Sequence, residues 1–94
     1  MNPISNLRLR QEVLWFAHEM ERQLQTHDDT KGKQGWREMS NTELLDEVLR
    51  EHVELMEAIR SGDRKAIIHE AADLANICMM LADNAWQWPG GMPK

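Results

Sequence analysis

Four acidic residues, arranged in two pairs, are the part of this sequence that could do chemistry. Glu51 and Glu54 form the first pair, and Glu70 and Asp73 form the second pair after fifteen intervening residues. Residues three apart in a helix lie on the same face, with about 5–6 Å between their Cβ atoms. The segment 59–64 between the pairs predicts a helix end, a tight turn and a new helix start. Two antiparallel helices would then bring all four carboxylates together.

Clustered carboxylates of this kind favour a hard divalent cation. They repel one another and raise each other's pKa, and a bound cation removes that repulsion. Oxygen-only ligands suit Mg²⁺ or Mn²⁺. Mg²⁺-dependent phosphoanhydride cleavage fits this arrangement best, because the ion neutralises phosphate oxygens while an activated water attacks phosphorus.

Two other chemistries that use clustered acids fit the sequence poorly. A di-iron helical bundle needs Glu-x-x-His pairs, and none of the four histidines has a glutamate three residues before it. A glycosidase needs a sugar cleft between its two carboxylates, and a chain of 94 residues has little room to build one.

Composition restricts the class of protein. The 94 residues are enough for one small domain, 1–94. A hydrophobic share of 41% is too high for a disordered chain, and a charged share of 29% is too high for a membrane protein. The net charge of −5 argues against a nucleic-acid binder. Because the start of the chain lacks a secretory pattern and the single Cys78 excludes an internal disulfide, we expect a cytoplasmic protein.

Hydrophobic periodicity predicts an all-α fold, an antiparallel bundle of three main helices. We expect helices at about 5–26, 40–61 and 63–86, a polar loop at 27–39 and an irregular tail at 87–94. The apolar stripes expected to be buried on the first two helices include Val13, Leu14, Leu45, Leu49 and Ile59.

Local signals mark the limits of these helices. Ser5 or Asn6 is the expected cap of the first helix. Ser40 and Glu43 have the spacing of a capping box at the start of the second helix, and Gly62 supplies its stop.

The third helix carries the strongest argument for a site. It is apolar around most of its circumference, and its narrow polar sector contains Glu70 and Asp73. A charge on such a helix is costly unless it is paired or metal-bound. A helix that is apolar nearly all round is also central or lies at a subunit interface, so we expect the bundle to be completed by oligomerisation.

The polar loop offers tools for binding a nucleotide. Lys31 and Lys33 are cations suited to phosphate, and Trp36 is an aromatic surface suited to a base. A solvated connector with Trp36 packed against the bundle is an equally good interpretation of this segment. The sequence assigns no role to Trp15, His52, Trp86 and Trp88.

The two acidic pairs and the residues around them resemble the signature of the MazG-like, all-α nucleoside triphosphate pyrophosphohydrolases, which is EExxE, a spacer and then ExxD. The neighbouring segments that agree are 35–36, 54–59, 70–76 and 79–84. The chain especially resembles the short MazG-like proteins of phages and mobile gene cassettes. This resemblance implies hydrolysis of a nucleoside triphosphate to a monophosphate and pyrophosphate. It also implies a homodimer or homotetramer with its sites near subunit interfaces.

The resemblance also implies roles for individual residues. The catalytic magnesium ligands would be Glu51, Glu54, Glu70 and Asp73. Lys31 or Lys33, together with Asn76, would contact phosphate or sugar, and Trp36 would contact the base. The chain departs from the pattern at its leading acid, which is Arg50 here. Glu47, one turn before Glu51, is the candidate to replace it as a metal ligand.

The sequence therefore predicts a Mg²⁺-dependent pyrophosphohydrolase that acts on deoxynucleoside triphosphates and clears unwanted ones from the nucleotide pool. A dCTP- or dUTP-directed enzyme on the same scaffold is one alternative. The other is a non-catalytic helical dimerisation or regulatory module that binds metal or nucleotide, which the small size of the chain and Arg50 would suit.

Overall fold

A computed structural model describes residues 7–31 and 35–87 of the chain. Three α-helices lie in these ranges: α1 (Gln11–Lys31), α2 (Asn41–Ser61) and α3 (Arg64–Gln87). One 3₁₀ turn (Gly35–Glu38) precedes α2. The described residues include no β-strand, and the predicted all-α class is confirmed. No helix in these ranges has the length and apolar character needed to cross a membrane.

The limits of α1 differ from those predicted. The helix continues to Lys31, so residues 27–31 are helical and not part of a loop. These residues are polar but include neither glycine nor proline, and the first such residue is Gly32. Polar composition alone does not end a helix, whereas glycine or proline does.

The start of α1 lies later than the predicted position near residue 5. Residues 7–10 are exposed and not helical, and the Leu14 amide donates to the Arg10 carbonyl at 3.1 Å. A helix end that packs against no other element gains too little free energy to form, because helical stability in proteins comes mainly from packing. The predicted caps Ser5 and Asn6 lie outside the described residues.

Local signals set the limits of α2 as predicted. The Glu43 amide donates to Ser40 Oγ at 3.1 Å, and the Ser40 amide donates to Glu43 Oε1 at 2.8 Å, which completes the capping box. At the other end Gly62 adopts φ 71° and its amide donates to the Ile59 carbonyl at 3.2 Å. Glycine reaches this left-handed conformation without strain. The chain then reverses into α3, whose first turn is capped by the Asp63 carboxylate, which accepts from the Lys65 amide at 3.0 Å.

The α3 helix is central, because it packs against both α1 and α2. The buried apolar side chains of the described part of the chain are Leu44, Ala58 and Ala72, so the interior formed by one chain is small. Polar contacts add to this packing. The Asn76 side-chain amide donates to the Met20 carbonyl at 2.9 Å and ties α3 to α1.

Part of the apolar surface predicted to be buried is exposed in the single chain. The residues concerned are 45–59% exposed: Val13, Leu14, Leu45, Leu49 and Ile59. They lie on α1 and α2, so most of the exposed large apolar side chains of the described helices are on the two outer helices, with Trp86 as the example on α3.

Candidate active site

The α2–α3 hairpin brings three of the predicted acids together. Carboxylate oxygens of Glu51, Glu54 and Glu70 all lie within 4.8 Å of one another. Ligand oxygens around a magnesium ion lie about 2.1 Å from it, and therefore up to about 4 Å apart. The three carboxylates are thus close to the spacing of a shared cation, and they come from two different helices.

A second group of possible ligands overlaps the first at Glu70. The His69 Nε2 lies 3.2 Å from Asp73 Oδ2 and 3.8 Å from Glu70 Oε1. The four acids therefore form one continuous cluster with Glu70 at its centre. His69 was not predicted as part of this cluster. Its position four residues before Asp73, and so on the same helix face, is the signal that could have identified it.

Burial and mutual repulsion raise the pKa of carboxyl groups in this cluster. Burial raises the pKa of Glu51 to about 8, and a hydrogen bond and the charge of Glu54 add to this effect. Burial also raises the pKa of Glu70, again with the help of Glu54, and this outweighs the lowering by His69. A carboxyl group with the pKa of Glu51 holds its proton near neutral pH, and a bound cation would displace that proton.

Asp73 has a more mixed environment. Burial raises its pKa and Glu54 adds to this, while His69 and His27 act in the opposite direction without cancelling the effect. His27 belongs to the part of α1 that was predicted as a loop. The extended α1 therefore contributes to the electrostatics of the cluster.

Two buried oxygens in the cluster fit a hard cation. Glu51 Oε2 and Glu70 Oε2 are buried and have no hydrogen-bond partner among the described residues. Buried polar atoms are nearly always paired, and a divalent cation is a partner that clustered carboxylate oxygens prefer. The donor set of this site therefore fits a divalent metal ion.

A cavity of about 370 Å³ opens beside the cluster. Its lining includes the acids Glu51, Glu54 and Asp73 as well as apolar side chains: Leu24, Met39, Ile77 and Met80. This volume lies within the range of small-molecule sites, which are mostly apolar with a few polar groups.

Two polar side-chain atoms of residues that line the cavity have no hydrogen-bond partner among the described residues. Trp36 lines it, and its buried indole Nε1 donates to nothing within the described ranges. Asn76 is only 3% exposed, and its Oδ1 accepts from no described residue. Arg37 holds the tryptophan in place: its guanidinium lies 5.7 Å from the Trp36 ring centroid and 2.8 Å from Asp83 of α3. An unused donor and an unused acceptor in one cavity indicate a polar ligand.

The remaining predicted residues fall in different places. The Lys31 side chain and all of Lys33 lie outside the part of the chain that the structure describes. Glu47 lines the cavity, but its carboxylate pairs with Arg50 and belongs to neither group of close ligand atoms. Arg50 and Asp28 also line the cavity and were not predicted as part of the site.

Comparison with known proteins gives one match. A family model described as phosphoribosyl-ATP pyrophosphohydrolase (PRA-PH) matches residues 17–85, a range that contains all four acids. No curated protein and no solved structure gives a significant match. PRA-PH domains are all-α and related to the MazG-like superfamily, so the resemblance is supported at that level, and the MazG-like family itself is not confirmed. The chain belongs to the phosphoribosyl-ATP pyrophosphohydrolase family, which indicates a pyrophosphohydrolase-type activity on a nucleotide substrate.

Proposed function

We propose that this protein is a Mg²⁺-dependent nucleoside triphosphate pyrophosphohydrolase that acts on deoxynucleoside triphosphates and removes unwanted ones from the nucleotide pool. The observation that supports this proposal is the convergence of Glu51, Glu54 and Glu70 beside a cavity that contains unused hydrogen-bonding groups. Family membership supports the reaction class independently.

The acids that would hold the metal are Glu51, Glu54, Glu70 and Asp73. When bound, a divalent ion neutralises phosphate oxygens and lowers the pKa of a water ligand. The oxygen-rich donor set favours Mg²⁺ and also accepts Mn²⁺. Glu47 is a weaker candidate ligand, because its carboxylate already pairs with Arg50.

The cavity residues would bind and orient the nucleotide. The Trp36 ring offers a stacking surface for the base. The Asn76 Oδ1 would accept a hydrogen bond from a donor on the substrate, such as a sugar hydroxyl, because this atom has no partner in the described part of the chain. The apolar side chains around them exclude water and strengthen these polar contacts.

The acidic cluster would also receive the proton of the attacking water. As the water oxygen bonds to phosphorus, the bond between the α- and β-phosphoryl groups breaks, and the products are a nucleoside monophosphate and pyrophosphate. A carboxylate within hydrogen-bond distance of the water would take its proton. The pKa of Glu51, raised to about 8, lies near neutral pH and suits this role.

A homodimer or homotetramer would complete the fold. The half-exposed apolar side chains of α1 and α2 are numerous for a chain with so small an interior. Large exposed apolar surfaces mark association sites, and a second copy of the chain is the partner we propose for them.

Phosphoribosyl-ATP is a second candidate substrate, and the family match is the observation that favours it. It carries the same triphosphate chain as a nucleoside triphosphate, so the same bond would break. The cavity does not distinguish the two by volume alone.

A substrate panel tests the proposal. The purified chain would be incubated with Mg²⁺ and each common ribo- and deoxynucleoside triphosphate, or with phosphoribosyl-ATP, and pyrophosphate release measured. We expect release that stops when a chelator is added. The panel would also reveal a preference for dCTP or dUTP. Absence of release from every substrate would contradict the enzymatic proposal and favour the non-catalytic metal- or nucleotide-binding module.

A further inference from the structure

Arg50 is a cation placed in an otherwise acidic cavity. We propose that its guanidinium binds the phosphate chain of the nucleotide, beyond the carboxylate cluster that holds the metal. This inference rests on the proposed function, and it gives Arg50 a task that the acid expected at this position of the sequence pattern could not perform.

The placement of Arg50 follows from the register of α2. Glu47, Arg50, Glu51 and Glu54 stand at positions i, i+3, i+4 and i+7, which form one stripe along a helix. All four line the cavity. The C-terminal half of this stripe belongs to the carboxylate cluster, so Arg50 would be next to a phosphate chain whose metal Glu51 helps to hold.

Because the cavity is acidic, a triphosphate bound in it would need positive charge nearby. Five acids line it: Asp28, Glu47, Glu51, Glu54 and Asp73. Among the described lining residues, Arg50 is the one side chain with a permanent positive charge. A triphosphate is strongly anionic, and a metal held by several carboxylates has lost much of its positive charge to them. A guanidinium would supply the remaining compensation, and its planar donors match phosphate oxygens in pairs.

Arg50 is available for this contact. Its present partner is the Glu47 carboxylate, three residues earlier on the same helix, and 58% of the Arg50 side chain is exposed. Exposed pairs of this kind contribute only about 0–1 kcal/mol, so exchanging Glu47 for a phosphate costs little. The pair also keeps the guanidinium on the cavity side of α2 before a ligand arrives.

Binding measurements with and without the phosphate chain test this role. The probes are α,β-methylene analogues of the four common deoxynucleoside triphosphates, which resist cleavage of the relevant bond, and the corresponding monophosphates. Isothermal titration with Mg²⁺ present would compare the wild-type chain with Arg50→Gln. We expect Arg50→Gln to weaken the triphosphate analogues about 10–100-fold, the usual loss of a charge-assisted hydrogen bond, and the monophosphates by less than about threefold.

Matched variants separate this role from a general charge effect. Arg60 lies in the last turn of α2, is exposed and does not line the cavity, so Arg60→Gln should bind every probe as the wild-type chain does. Arg50→Lys keeps the charge without the paired donors and should show an intermediate loss. Circular dichroism of each variant establishes that it is folded.

The outcomes are distinct. If the wild-type chain binds the analogues and Arg50→Gln binds them equally well, the role of Arg50 is wrong while the proposed function stands. Equal losses for triphosphate and monophosphate would also overturn it, because the contact would then not be with the outer phosphates. If the wild-type chain with Mg²⁺ binds no analogue, the proposed function fails and this inference fails with it.

Discussion

Glu70 is the residue on which the geometry of the site depends most. It is shared by the two groups of possible ligands, one with Glu51 and Glu54 and the other with His69 and Asp73. It also projects from the central helix, where burial raises its pKa. Removing its charge should therefore affect every other group in the cluster.

The Glu70→Gln variant should lose pyrophosphohydrolase activity while it keeps the fold. Glutamine preserves the shape of the side chain and removes the charge that would hold the metal, so we expect a loss of at least about 100-fold in turnover. Glu57→Gln, on the exposed side of α2, is the matched control and should retain activity. Pyrophosphate release and thermal unfolding would be measured for both, and unchanged turnover in Glu70→Gln would remove this residue from the site.

The stability of the metal-free protein should fall as the pH rises through the range set by Glu51. The pKa of this group is raised from 4.5 to about 8 in the fold. Between these values the folded chain holds a proton that the unfolded chain has released, so stability that is present below the lower value is lost as the pH approaches the upper one. Thermal unfolding in a chelator at pH 5 and at pH 8 would measure the effect.

The Glu51→Gln variant isolates this contribution. It should be more stable than the wild-type chain at pH 8 and should show a weaker pH dependence, because the amide stays neutral. Each 1 kcal/mol corresponds to about 4–8 °C in Tm for a domain of this size. Glu57→Gln should keep the wild-type pH dependence. A metal-free wild-type chain whose Tm rises between pH 5 and pH 8 would contradict the assignment.

Asp73 should contribute directly to metal affinity. Asp73→Ala removes one carboxylate from the cluster, and we expect Mg²⁺ binding to weaken at least about tenfold in a calorimetric titration. Asp46→Ala, at an exposed position of α2, is the control and should bind Mg²⁺ as the wild-type chain does. If the two variants gave the same titration as the wild-type chain, Asp73 would not be a ligand.

At the scale of elements, the hairpin between α2 and α3 makes the site possible. Gly62 reverses the chain at φ 71°, and an added Cβ would meet no atom within 4 Å there. Gly62→Ala should therefore destabilise the chain only through the left-handed backbone, by about 1 kcal/mol. Gly35→Ala, which also has open space but no positive φ, should cost less. Denaturant unfolding of the two variants would compare them, and equal midpoints would show that the glycine conformation contributes little.

The hairpin could be predicted because its signals are local. The Ser40 capping box and Gly62 act within one turn of helix, and their residue types identify them directly. The end of α1 could not be predicted in the same way, because residues 27–31 are polar without containing a helix breaker. The helical state of residues 27–31 brings His27 and Asp28 to the cavity. No local signal in the sequence predicts this helical state.

For the same reason, the acidic pairs could be predicted from the sequence and the remainder of the cavity could not. Spacing along α2 and α3 predicts which carboxylates share a face. The spacing does not predict that Asn76 would be almost fully buried, since its burial depends on how α1 packs against the hairpin. The roles of all these residues remain predictions.

At the scale of the whole molecule, one chain covers too little of its own apolar surface. Only small interior positions such as Ala58 and Ala72, together with Leu44, are buried apolar residues in the described ranges. Sequence periodicity counts apolar residues on a face but does not tell whether the same chain or another one covers that face. Sequence periodicity predicted that Leu45, Leu49 and other residues of the outer helices would be buried, and a single chain leaves them exposed.

The isolated protein should sediment at twice or four times the mass of one chain at micromolar concentration. Leu49 is 59% exposed and lies on the uncovered face of α2, so Leu49→Asp should shift the protein toward the monomer by placing a charge in an apolar contact. Thr42→Asp puts the same charge on an exposed polar position in the first turn of α2 and should leave the assembly intact. Analytical ultracentrifugation would measure the oligomeric state of the wild-type chain and the two variants. A wild-type chain that stays monomeric at micromolar concentration would mean that these side chains remain in water, and the proposal that a second copy completes the fold would be wrong.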